Sequence, residues 1–177
     1  MFCCDDIELA IATFNYGANK PVSNGCEARF YSLDGKIGFK LYNSEWQRDN
    51  NHDKMRLAND FDEYLCAKVG PKFNCTDKYG DIHYGFLVEQ LDITLMDYAA
   101  NKFGPNCSGR ATWKKYDNSA DSFVESICDT LQDAANSVGL NFADNHAANI
   151  ATKLDDNGEP IQWLIIDIGD NQDSDST

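Results

Sequence analysis

Apolar and polar positions follow two rhythms along this chain, and the change between them marks its elements. Ile7 to Phe14 (IELAIATF) is apolar and β-capable, although its alanines also permit a helix. Cys26 to Ser32 (CEARFYS) has strand composition. Leu33-Asp34-Gly35-Lys36 reads as a hairpin turn, and Ile37 to Tyr42 (IGFKLY) as the strand after it. The expected order is three strands, with the turn-rich stretch Asn15 to Gly25 between the first two. Ser44 to Asp53 is polar, with a helix start near Ser44. Leu57, Phe61, Leu65 and Val69 then recur every four residues, which predicts a helix over Lys54 to Val69, stopped by Gly70-Pro71.

Lys72 to Cys75 and Ile82 to Glu89 read as two further strands around the turn Thr76 to Asp81. Thr94 to Asn101 predicts a helix with Leu95, Met96 and Tyr98 on its apolar side. Phe103 to Ser119 is a loop or insertion around Trp113, and its basic doublet Lys114-Lys115 is assigned to solvated surface. Asp121 to Val138 is amphipathic: Phe123, Ile127, Leu131, Ala134 or Ala135, and Val138 form the stripe, Ser119 or Asp121 the cap, and Gly139 the stop.

The stretch Leu140 to Gly169 carries the chemistry. Asp144 and Asn149 lie five apart between two apolar runs. The turn Asp155 to Pro160 contains Asn157-Gly158, a strong hairpin signal because Gly accepts positive φ. The apolar run Trp163 to Ile166 then ends in Asp167-Ile168-Gly169. Folding back at the turn brings Asn149, at the end of one arm, near Asp167, at the end of the other. With Asp144 just upstream, three oxygen-bearing side chains converge. That donor set suits Mg²⁺ and the needs of phosphoryl transfer.

Composition sets limits on this picture. A chain of 177 residues implies one domain, with room for two small lobes. The net charge of −14 argues against general nucleic-acid binding through phosphates and favours basic partners. With no membrane-length apolar run and no basic-then-apolar leader, a cytoplasmic location is expected. Seven scattered cysteines, none at zinc-ligand spacing, do not form a disulfide framework, and Cys66 and Cys128 are expected as buried thiols. His52 and His83 are expected at the surface.

Asp144 and Asn149 meet the pattern of Asp, four residues and Asn, and Asp167-Ile168-Gly169 stands where Asp-Phe-Gly would. On these motifs the chain resembles the protein-kinase-like superfamily. The segment D-x-H-x-x-N-I is similar to small-molecule and atypical kinases more than to the regulated ones. The resemblance implies an α+β fold of two lobes. One is an antiparallel sheet with one helix over 1–91; the other is a reduced, mainly helical lobe over 92–170, before a disordered acidic tail over 171–177.

It also implies roles. Lys40, in GFKLY, would bind ATP phosphates, paired with Glu63 or, second, Asp62 on the helix. The loop from Gly17 to Gly25 would cover the phosphates, and backbone groups of Glu89 to Leu91 would bond adenine. Asp144 would orient the acceptor hydroxyl, while Asn149 and Asp167 would hold Mg²⁺, with ATP and metal between the lobes. His146 is expected to pack structurally, without a catalytic role.

The departures are specific. Phe142 and Ala143 stand where the family has His or Tyr and Arg, and only Gly17 and Gly25 remain of G-x-G-x-x-G. The sequence runs eight residues beyond Gly169, so the resemblance covers about the first two-thirds of a usual kinase and implies no peptide platform. The expected activity is ATP-dependent phosphorylation of protein serine or threonine, with small molecules second. A partner or a homodimer would present the substrate. An unregulated kinase suits a virus acting in host cytoplasm. The rival expectation is a pseudokinase, or an acidic protein that blocks a basic host protein.

Overall fold

A computed structural model describes residues 2–16, 21–24, 28–107 and 113–169. By internal contacts the chain divides into two units, 1–57 with 67–90, and 58–66 with 91–177. The fold is mixed α+β, with a five-stranded antiparallel sheet in the order Ser23–Asn24, Ala28–Ser32, Ile37–Tyr42, Ile82–Glu89, Val69–Thr76 and a three-stranded sheet in the order Ile93–Thr94, Ile150–Leu154, Pro160–Ile165. Among the described residues, no helix is long and apolar enough to cross a membrane.

The first unit opens on a helix, α1 (Cys4–Tyr16), where the apolar run suggested a strand. Ile7, Ala10, Ile11 and Phe14 recur at three- and four-residue spacing, so one face of a helix carries all of them. Asp5 and Asp6 complement the positive end of the helix, and Asp6 Oδ2 accepts the Cys3 N–H at 2.7 Å. The apolar face packs on Tyr31, Phe39, Leu41, Phe73, Cys75 and Leu87. Tyr31 and Phe39 stack at 4.9 Å. Burying one such ring stabilises by about 1.5–3 kcal/mol, more than the local β preference of a few isoleucines and a threonine. The unit therefore has two helices rather than one.

The strands of this sheet are β1 (Ser23–Asn24), β2 (Ala28–Ser32), β3 (Ile37–Tyr42), β4 (Val69–Thr76) and β5 (Ile82–Glu89). The β2–β3 turn forms as read: Asp34 Oδ1 accepts from the N–H groups of Lys36 and Ile37, and Gly35 takes φ 80°.

The second helix, α2 (Glu45–Phe61), starts nine residues before and ends eight before the bounds read from the apolar spacing. Leu57 and Phe61 are exposed, while Arg48, Asn51, His52, Met55 and Ala58 are buried. The inward face is thus largely polar. Arg48 ties it down through Asn74 Oδ1 (2.8 Å), Glu45 and Asp49. His52 Nε2 meets the Gly70 carbonyl at 2.9 Å, and its ring packs on Phe86. His52 and His83 are both buried, not at the surface. Gly70-Pro71 does not stop a helix. It lies in β4 at a register irregularity between Val69 and Lys72, where the N–H that proline lacks is not needed.

The second unit contains β6 (Ile93–Thr94), α3 (Leu95–Phe103), α4 (Asp121–Ser137), β7 (Ile150–Leu154) and β8 (Pro160–Ile165). Thr94 caps α3, its hydroxyl accepting the Asp97 N–H. Neither Ser119 nor Asp121 caps α4 with a side chain. Asp117 instead caps the short turn Asn118–Ala120 that leads into it. The lobe called mainly helical also holds a sheet. Tyr98 on α3 meets Trp163 on β8 edge-to-face at 5.5 Å and donates to Glu159 in the hairpin.

Candidate functional site

Asp144 and Asn149 occupy a loop pinned at both ends by apolar side chains. Leu140 and Phe142 before it, Ala147 within it and Ile150 after it are buried. Ala147–Asn149 form one short helical turn, capped by His146. This turns the Asn149 side chain back on the loop. Asn149 Nδ2 donates to the Asp144 backbone carbonyl at 3.0 Å and to its Oδ2 at 2.8 Å. With Nδ2 so engaged, the amide's Oδ1 faces away from Asp144 as an acceptor. The Asp144 side chain is 58 % exposed.

The β7–β8 hairpin brings in the third group. Ile150 pairs with Ile165, and the Ile166 N–H donates to the Asn149 carbonyl at 2.8 Å. Asp167 follows directly, held between Ile165 and Ile168, each 1 % exposed. Asp167 Oδ1 accepts the Gly169 N–H at 3.2 Å. Gly169, at φ 77°, then lies against Asp144, close enough that an added Cβ would meet the Asp144 Cβ at 2.7 Å. The hairpin, the loop and the Asp-Ile-Gly segment therefore converge within one unit.

His146 is the functional candidate that sequence reasoning passed over. The Ala148 N–H donates to its Nδ1 at 3.2 Å, which assigns the ring hydrogen to Nε2. Nε2 lies 3.3 Å from Asp144 Oδ2. It also lies 3.2 Å from Asn149 Nδ2. Asn149 Nδ2 therefore donates to Oδ2, and the His146 ring stands beside the same oxygen at ion-pair distance. The signal was present in D-x-H-x-x-N, but only the helical turn folds His146 back onto Asp144. The exposed Trp113 indole stands 6.1 Å from the His146 ring. Lys114 and Lys115 are engaged within the chain, by Asp121 and Asp97 respectively.

The remaining expected residues lie elsewhere. Lys40 is on β3 and 7 % exposed, so it is not a solvent-facing strand lysine. It pairs across the sheet with Phe86 and shares the face on which Tyr42 stacks. Asp62 and Glu63 lie in the turn after α2, not on the helix, and belong to the other unit from Lys40. The Glu89 and Gln90 N–H groups already donate to the carbonyls of Lys68 and Lys36. Of the expected adenine-bonding stretch, a backbone donor can come only from Leu91. Gly17 and Gly25 lie outside the described residues.

Among the described residues, no three His, Cys, Asp or Glu side chains gather as a metal cage. Mg²⁺ is commonly held by one or two carboxylates together with substrate phosphates and water. A carboxylate such as Asp167 and an amide oxygen such as Asn149 Oδ1 are donors of the kind that limited, all-oxygen requirement takes.

No family model matches the chain, and no curated protein matches it. Among solved structures it is similar to a MAP kinase from Leishmania major, at 13 % identity and a TM-score of 0.47, over 85 % of this chain and 45 % of that one. The chain thus spans less than half the length of that kinase.

Proposed function

We propose that this chain is an ATP-dependent phosphotransferase of the protein-kinase-like kind, with a protein serine or threonine hydroxyl as acceptor. The observation that supports this best is the double hydrogen bond from Asn149 Nδ2 to Asp144, formed where the hairpin also delivers Asp167. On this reading Asp144 receives the acceptor hydroxyl and takes its proton as the oxygen attacks the γ-phosphorus. The β–γ P–O bond breaks and ADP leaves. Asn149 Oδ1 and Asp167 would hold Mg²⁺, which when bound supplies charge neutralisation at the phosphates. The open setting of Asp144 favours a hydroxyl carried on a protein over an enclosed small molecule.

The test uses labelled ATP, Mg²⁺ and a cell lysate as the acceptor pool, with Asp144→Ala and Asp167→Ala beside the wild type. Transfer by the wild type alone is expected. Equal silence from all three proteins sinks the proposal.

A further inference from the structure

The end of α2 and the turn after it display two large rings that remain exposed among the described residues. Residues 60–64 are all exposed, with Phe61 at 63 % and Tyr64 at 57 %. The turn that carries them is nonetheless held firmly. Asp62 N–H donates to the Ala58 carbonyl, Leu65 N–H donates to the Asp62 carbonyl, and Asp62 Oδ1 accepts the Tyr64 N–H. Gln162 Nε2 donates to the Tyr64 carbonyl at 3.1 Å, and the buried Leu65 and Cys66 anchor the exit. The rings are therefore presented on an ordered backbone.

Several rings elsewhere among the described residues do lie under the chain's own cations. Arg29 lies over Phe14, Arg48 over Tyr84, Lys78 over Tyr79, Lys102 over Tyr98 and Lys114 over Tyr116. Among the described residues no cation lies over Phe61 or Tyr64. Yet Asp60, Asp62 and Glu63 flank them, and Glu63 sits against the Tyr64 hydroxyl. Rings and carboxylates at one turn form a surface complementary to a cation with a flat face.

We propose that the Asp60-to-Tyr64 turn is a docking site for an arginine-bearing basic segment of a partner protein. A guanidinium stacks on an aromatic face while its N–H fork engages a carboxylate. An ammonium offers only a point charge and cannot do both as well. This site does not depend on the phosphotransferase reading, and its test needs no activity.

The test is fluorescence anisotropy with a labelled arginine–alanine decapeptide and its lysine counterpart, at about 0.15 M salt so that long-range attraction to an acidic protein is screened. The arginine peptide binds the wild type most tightly. Phe61→Ser with Tyr64→Ser weakens it about tenfold, with net charge unchanged. Asp62→Asn with Glu63→Gln weakens it more than Asp129→Asn with Asp133→Asn, which removes equal charge from exposed positions on α4. Thermal melting confirms that each variant is folded. The proposal is overturned if the serine variant binds as the wild type does, if the lysine peptide binds equally well, or if the two charge-removal variants lose equally. It is also overturned if sedimentation shows a wild-type dimer that Phe61→Ser dissociates, because a second copy then covers the rings.

Discussion

Gly169 lies directly against Asp144: a Cβ added to the glycine would stand 2.7 Å from the aspartate's Cβ and 3.2 Å from its backbone nitrogen. The loop and the Asp-Ile-Gly segment thus approach this closely only because glycine has no Cβ. Gly169→Ala must displace one of them, and its φ of 77° is strained for any side chain. We expect it to cost about 1–3 kcal/mol of stability and to reduce phosphoryl transfer at least tenfold. Urea melts and labelled-ATP transfer measure the two effects separately. An alanine variant with unchanged transfer rules out this contact as a functional one.

His146→Ala removes the ring that stands 3.3 Å from Asp144 Oδ2 while leaving the Asn149 bond in place. The expected result is a lower kcat with little change in the KM for ATP, partly restored by His146→Gln. Long-range ¹⁵N NMR should show the ring hydrogen on Nε2. A hydrogen on Nδ1 contradicts the assigned orientation, whether or not the protein transfers phosphate.

Asn149→Ala removes both bonds to Asp144 and, on the proposed function, one of the two oxygen donors that would hold Mg²⁺. Calorimetry of ATP binding should show a large loss with Mg²⁺ present and little change with EDTA. Equal losses in the two conditions mean that Asn149 acts only on the loop.

Lys72 joins β4 to α2 by bonding Asp49 and Asp53, each at 2.9 Å. Burial pushes both carboxyls up, but hydrogen bonds from Arg48 and Lys72 to Asp49, and from His52 and Lys72 to Asp53, outweigh it and hold both below the usual range. Depressed carboxyls contribute stability above their unfolded value, near 4, that is lost as pH falls through the folded one. Solvent screening limits such half-exposed pairs to about 0.5 kcal/mol each. Lys72→Met should therefore flatten the loss of stability below about pH 4. An unchanged acid slope removes Lys72 from that account.

Burial pushes the Cys75 and Cys128 thiols up to about 11. At pH 8 only about a thousandth of each is thiolate, the reactive form. Exposed Cys3, Cys4 and Cys107 should react with iodoacetamide first. Mass mapping that finds Cys75 labelled as fast as Cys107 contradicts the burial assigned to it.

Local chemistry was legible wherever it suffices to choose a conformation. Asp34-Gly35 and Asn157-Gly158 turn the chain by side-chain bonds and positive φ within a few residues, so the hairpins and Ile37–Tyr42 could be read directly. The hairpin reading also explains why Asn149 and the residues around Asp167 meet. His146 could not be assigned that way, because its contact with Asp144 depends on a capped turn whose torsions no residue type dictates.

What the amino-acid order settled is the turns at Asp34-Gly35 and Asn157-Gly158 and strands such as Ile37–Tyr42 and Ile82–Glu89, because those turns close over short distances. Packing alone decided that Ile7–Phe14 lies within a helix, since the choice rests on a sheet face assembled from β2, β3, β4 and β5. Packing also turned Arg48 and His52 inward on α2 and left Leu57 and Phe61 outside. Those polar groups are stable there only because Asn74 and the Gly70 carbonyl, more than a dozen residues away, satisfy them.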